Sequence, residues 1–130
     1  MDARGRISTF VGSGVGGTGG DGGLAARAQL RAPTGLPFDS HGNLYIADTG
    51  ANRIRRIDTH GIITTVGGAR SPADGGFAGD GGPAANALLS RPIQIAFDTT
   101  GNLYFTDQGN HRVRRIDTHG TITTVLAPTT

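Results

Sequence analysis

The chain writes one twenty-residue sentence twice. Residues 42–61 read GNLYIADTGANRIRRIDTHG, and residues 101–120 read GNLYFTDQGNHRVRRIDTHG. The match extends from 33–66 to 92–125 at an offset of 59 residues, with 21 of 34 positions identical. Self-similarity at a fixed period is the mark of a repeat architecture, in which each unit buries its apolar face against a neighbour. The chain is therefore built from two near-copies of one supersecondary unit.

Each copy divides into four short runs separated by turn residues. LPFD (36–39) and IAFD (95–98) come first, then NLYIAD (43–48) and NLYFTD (102–107). RIRRID (53–58) and RVRRID (112–117) follow, and IITTV (62–66) and TITTV (121–125) close the copies. Val, Ile, Thr, Tyr and Phe dominate these runs, as a half-buried pleated surface favours. The joints SHGN, TTGN and DTHG are short, with Gly42 and Gly101 free to take positive φ. Connections of this length join antiparallel neighbours, so each copy is predicted to be a four-stranded meander. On NLYIAD the pleat puts Leu44, Ile46 and Asp48 on one face and Asn43, Tyr45 and Ala47 on the other. On RIRRID the apolar pair Ile54 and Ile57 is three apart. That spacing predicts a bulge near Arg55 and Arg56, or an Arg lying along a packed face.

Gly- and Ala-rich linkers fill 13–32 and 67–91. They end in LAARAQL (24–30) and PAANALL (83–89), where one or two helical turns are expected to cap each unit from above, with Pro83 suited to a first helical position. DARGRISTFVG (2–12) matches DTHGIITTVGG (58–68), so 6–12 is expected to be the outer strand of a preceding unit. All twelve basic residues are Arg and all ten acidic residues are Asp. The missing Lys and Glu argue against a helical fold. A net charge of +2 is too weak to argue for nucleic acid by itself. Without cysteine there is no disulfide framework and no thiolate metal site. No run is apolar enough for a signal peptide or a membrane span, so the chain reads as soluble.

A four-stranded sheet repeated around an axis is a propeller blade, which makes the expected fold an all-β propeller segment of two antiparallel blades. The segments PTGLPFDSHGNLYIADTGANRIRRID and PIQIAFDTTGNLYFTDQGNHRVRRID resemble the NHL repeat. The linkers, with GFAGDGGPA, look like those of long bacterial NHL blades. The resemblance implies a six-bladed propeller or near relative, used as a binding platform. Two departures stand out. Pro37 and Gln94 interrupt the innermost strands, and Gly50-Ala51-Asn52 replaces the order kept at Gly109-Asn110-His111. Two blades do not close a ring. Either the chain is a fragment, or copies associate head to tail, six blades from three chains being the favoured count.

Chain direction puts the linkers at the same end as the DTGANR and DQGNHR loops, the end that carries binding in NHL-like propellers. There Asp48, Asn52, Arg53, Asp107, Asn110, His111 and Arg112 are candidate ligand contacts. Asp48 with Arg53 and Asp107 with Arg112 recur in both copies. They read either as contacts at a central mouth or as pairs pinning each hairpin, and recurrence fits architecture better. Arg55, Arg56, Arg114 and Arg115 could track RNA phosphates. Few aromatic residues are available for stacking and aspartates lie nearby, so nucleic acid is disfavoured. GGTGGDGG (16–23) and DGGFAGDGG (74–82) lack the Lys of a phosphate cradle and the oxygen ligands of a calcium loop, and read as turn-forming linker. His41, His60, His111 and His119 fall in turns, and neither a metal-ligand cluster nor a nucleophile–base arrangement is visible. No cofactor is implied. The leading expectation is a non-enzymatic binding or scaffold module whose partner is a protein, a peptide, a glycan or a second copy. The alternatives are an RNA-binding module and a metal-dependent lyase or hydrolase.

Overall fold

In the computed structural model, which describes residue 5 and residues 7–126, the chain forms two four-stranded antiparallel sheets. The first holds β1 (Pro33–Thr34), β2 (Leu44–Asp48), β3 (Arg53–Ile57) and β4 (Ile63–Gly67). The second holds β5 (Pro92–Phe97), β6 (Leu103–Asp107), β7 (Arg112–Ile116) and β8 (Ile122–Leu126). Strand order follows chain order in both, as a meander requires.

The repeated turns work by one device. Asp39, Asp58, Asp98 and Asp117 each turn a carboxylate back onto the amides that follow. Asp58 Oδ1 accepts from His60 N at 2.8 Å and Ile62 N at 3.0 Å, and Asp117 does the same with His119 N and Thr121 N. Gly42 and Gly101 then take φ of 87° and 100°, where a side chain would be strained. The innermost strands differ for a local reason. Pro37 has no N–H to give a ladder, and β1 ends after two residues with a lone bridge from Phe38 to Leu44. β5 runs straight through Gln94, whose amide is taken by Thr106 Oγ1 at 3.0 Å while the register shifts between Pro92 and Ile95.

Both readings offered for RIRRID hold together. The register of β3 on β4 shifts between Ile54 and Arg55, and that of β7 on β8 between Val113 and Arg114. The bulge turns Arg55 and Arg114 inward, where each has no exposed surface.

The core has two layers. Leu44, Ile46, Ile57 and Ile63 of the first blade pack under Ala25 and Ala28 of the first linker. The equivalent residues Leu103, Phe105, Ile116 and Ile122 pack against Ala84, Ala87 and Leu89, and also against Ala47 and Ile54 on the far face of the first blade. Each blade thus presents one face to its own linker and the other to the next blade.

The helical turns are single 3-10 turns, Ala25–Arg27 and Ala84–Asn86, and Pro83 is the residue before the second rather than its first. They do not sit above the blade as expected. Ala84 N donates to Gly120 O in a DTHG turn at 2.8 Å, while Ala84 O accepts from Gly68 N at 3.0 Å. The turn is a peg between the outer strands of adjacent blades. The strand expected over 6–12 is not formed over 7–12, and Ile7 and Phe10 are 91% and 64% exposed, while Arg6 lies outside the described residues. An outer strand needs a third strand beside it, and β3 and β7 already carry β4 and β8. Among the described residues no helix is long and apolar enough to cross a membrane.

Candidate functional site: the linker end

The loops between second and third strands and the returning linkers meet at one end, as chain direction predicts. Gly50 N donates to Arg31 O at 2.7 Å, and Gln108 N to Arg91 O at 3.3 Å. The β2–β3 loop ends in Asn52, and the β6–β7 loop in His111, both left-handed at φ 59° and 55°. Asn tolerates that conformation better than most side chains.

The recurrent aspartates of this end are not free. Asp48 and Asp107 are fully buried. In the second blade Asp107 Oδ1 accepts from Ser90 N at 2.8 Å, and Oδ2 accepts from Asn110 Nδ2 at 2.8 Å and Arg114 Nη1 at 3.2 Å. Arg114 continues to Leu88 O, Ala78 O and Asp80 Oδ1, and Asp80 Oδ2 accepts from Thr124 Oγ1. The first blade repeats the bracket. Asp48 Oδ1 accepts from Arg31 N at 2.7 Å, and Arg55 spans from Asp48 to Gln29 O, Gly19 O and Asp21. Asp21 Oδ2 accepts from Thr65 Oγ1 at 2.6 Å. An Asp–Arg–Asp chain therefore staples each linker to its blade from inside the fold.

Three expectations are corrected by this geometry. The partner of Asp48 is Arg55, and that of Asp107 is Arg114, although Arg53 and Arg112 stand directly opposite them in register. Arg53 instead donates to Ala69 O at 2.6 Å and Arg112 to Asn110 O at 3.3 Å. Arg55 and Arg114, being buried and paired, cannot reach an RNA phosphate. Arg56 and Arg115 are half-buried on the sheets. Asn52 is likewise a structural clamp. Its Nδ2 donates to Pro72 O and Ala73 O, and its Oδ1 accepts from Arg91 N at 2.8 Å, tying the first blade to the second linker.

One difference between the brackets is chemical. Ala51 stands where the second blade has Asn110, and Asp48 Oδ2 has no hydrogen bond, its nearest cation being Arg55 Nη1 at 3.5 Å. Burial pushes the Asp48 carboxyl above its ordinary range, only partly opposed by the Arg31 amide and the Arg55 guanidinium.

What remains exposed at the linker end is basic. Arg31, Arg70, Arg91 and His111 are exposed, Arg53 and Arg112 half-buried, and Asp74 is the exposed carboxylate among them. None of these five arginines joins an ion pair among the described residues; all four ion pairs belong to Arg55 and Arg114. Phe77, 40% exposed, lies under the Arg112 guanidinium at 4.1 Å and that of Arg114 at 4.7 Å. A pocket of about 190 Å³ opens beside Asn52, with Thr49, Asp74, Ser90 and Arg91 on its walls. The opposite end carries Asp39, Asp58, Asp98 and Asp117, with Arg56 near Asp58 and Arg115 near Asp117. Hydrogen bonds hold their carboxyls below the usual range: the Ile62 amide at Asp58, the Asn102 side chain at Asp98 and the Thr121 amide at Asp117. At Asp39 burial pulls upward, and the bonds from Asn43 outweigh it. That end also opens a cleft of about 340 Å³ between the blades, walled by Asp39, His41, Tyr45, Arg56 and Phe97. No group of three His or Asp side chains among the described residues is placed to hold a metal ion.

Two blades of this topology, each strapped by its own linker, define a segment of an NHL-type β-propeller. The Teneurin NHL domain family matches residues 13–72 and again 66–130, and the chain belongs to that family. It is similar to human Teneurin-4, at 40% identity over 103 residues, and to mouse Teneurin-1, at 33% over the same length. Each alignment covers 72% of this chain and 4% of the relative, so the chain spans a small part of these proteins. The fold is similar to that of virginiamycin B lyase from Staphylococcus aureus, with a TM-score of 0.55 and 21% identity over 75% of this chain and 27% of that one. Both of these relatives are animal teneurins and lend no support to the bacterial kinship expected from the linkers.

Proposed function

We propose that the chain is a non-enzymatic binding module of a β-propeller, and that its linker end receives an acidic segment of a partner protein. The observation that carries this reading is the segregation of charge. Five arginines without carboxylate partners share one end with an exposed Phe77, while four hydrogen-bonded carboxylates occupy the other. Arg beside an accessible aromatic ring suits a carboxylate-bearing peptide, because the guanidinium forks onto carboxylates and the ring offers apolar contact. The buried aspartates, the usual candidates for acid–base work, are consumed in the brackets, which favours binding over catalysis.

The test uses a fluorescent glutamate-rich peptide and fluorescence polarisation at low salt. Binding that weakens steeply as salt rises, and is lost in the triple variant Arg31→Glu, Arg70→Glu, Arg91→Glu, supports the proposal. These side chains are exposed, so the variant keeps its fold. Absence of binding at low salt removes it, and displacement of the peptide by RNA at far lower concentration replaces it with the nucleic-acid reading.

A further inference from the structure

The joint between the two blades has an unusual property: each half of it is repeated, open, on an outer flank of the pair. Inside the joint, Tyr45 meets Phe97 edge to face at 4.8 Å between ring centroids. Ala47, Ile54 and Val66 of the first blade cover Leu103, Phe105 and Ile116 of the second, with Ile95 and Phe97 packed alongside. Thr49 Oγ1 donates to Pro92 O at 2.7 Å and Thr34 Oγ1 to Ile93 O at 2.9 Å.

At the offset of 59, Tyr45 corresponds to Tyr104, Ala47 to Thr106, Ile54 to Val113 and Val66 to Val125. These form the far face of the second blade, and nothing among the described residues covers it. Val125 and Leu126 are 46% and 64% exposed. A hollow of about 370 Å³ has Gln94, Ala96, Tyr104, Thr106 and Val113 of this flank on its walls and reaches Ile95 and Gly35 at the edge of the inner joint. On the first blade, β5 packs on β2, over the equivalent position. The other half behaves likewise. Ile95 and Phe97 correspond to Leu36 and Phe38, which stand on the near flank of the first blade, each 62% exposed.

We infer that the two flanks bind each other between copies, head to tail, with Leu36 and Phe38 of one copy entering the Tyr104–Val113 hollow of the next. The partner is a second copy because the mould and the cast are both present in one chain, and the inner joint shows them fitted. This inference rests on the blade architecture and does not require the linker end to bind anything. The joint between copies is weaker than the inner one. Gln108 replaces Thr49, so the hydroxyl bond to the neighbouring carbonyl is absent, and Thr106 brings a hydroxyl where Ala47 is apolar. It also meets a competitor. Gly12 N donates to Ala25 O at 3.0 Å, as Gly68 N does to Ala84 O inside the pair. Gly12, beside the half-buried Val11, thus holds the seat that the residue after a neighbour's β8 would take, and must yield to it.

Sedimentation velocity over a concentration series tests the inference. The wild-type chain is expected to associate reversibly, and a chain lacking residues 1–12 to do so at lower concentration. Phe38→Asp and Tyr104→Asp each block one flank only. Each alone should be monomeric, and their equimolar mixture should double in mass to a one-to-one dimer and grow no further. Far-UV circular dichroism confirms that each is folded, and Val113→Asp substitutes for Tyr104→Asp if it is not. A wild-type chain that stays monomeric at every concentration, or folded variants whose mixture stays monomeric, overturns the inference. So does a single variant that still associates, which would indicate like-to-like contact. Peptide binding by the monomeric variants reads the linker end separately, so the two ideas fail independently.

Discussion

Replacement of Arg114 by Met should be among the most damaging substitutions this chain can suffer. The guanidinium is fully buried and bonds Asp107, Asp80, Leu88 O and Ala78 O. Met fills much of the side-chain volume, so the loss is electrostatic rather than a cavity. Asp107 would keep the Ser90 amide and Asn110 but lose its counter-charge. Removing one partner of a buried pair costs about 3–5 kcal/mol. Two carbonyls left dry would add about 1–3 kcal/mol each, so the upper part of the range applies unless water enters. With a urea slope of about 2 kcal/mol per molar, the unfolding midpoint should fall by about 2 M. Urea titration followed by circular dichroism measures it, with Arg112→Met as the control. Arg112 is half-exposed over Phe77, and its loss should cost no more than about 1 kcal/mol. Adding Asp107→Asn to the Met variant should recover part of the deficit, because the stranded charge is gone. A loss below about 1 kcal/mol, or one equal to the control, would refute the view that the bracket holds the linker.

Ala51→Asn should stabilise the first blade by about 1 kcal/mol, by giving Asp48 Oδ2 the bond that Asn110 gives Asp107; thermal unfolding that is unchanged or earlier contradicts this. Acid should destabilise the fold as pH drops through the lowered carboxyls of Asp39, Asp58, Asp98 and Asp117, whose contribution is complete above the unfolded value of 3.8. Asp48, raised by burial, acts in the opposite sense and gains stability as it protonates. Asp58→Asn with Asp117→Asn keeps the acceptor oxygen and should flatten the acid slope in a pH series of melting curves; an unaltered slope would count against the turn carboxylates.

The strands, turns and bulge were legible because a pleat and a tight turn leave local marks: β-branched runs, D-x-x-G joints, and Ile54 and Ile57 at an odd spacing. The brackets were not, because pairing by adjacency points Asp48 at Arg53, and only the bulge brings Arg55 inward. A signal did exist. Asp21 with Arg55 and Asp80 with Arg114 share a separation of 34 residues, although the linkers between the blades differ in length. The conserved separation within an otherwise glycine-rich tract marked those aspartates as something other than spacer. The clamp made by Asn52 left no such mark, since His111 at the matching position breaks the recurrence.

The bond between Asn52 and Arg91 keeps the two blades the same way up. Their charge separations therefore lie parallel and side by side, and every blade added in that orientation brings like charge beside like charge at both rims. A growing arc is an electrical capacitor whose plates repel sideways. At 0.1 M ionic strength such fields decay over about 10 Å, so added electrolyte should ease lateral growth while it loosens any anionic guest on the basic rim. Ionic strength would then shift one chain between a loaded single unit and an unloaded assembly.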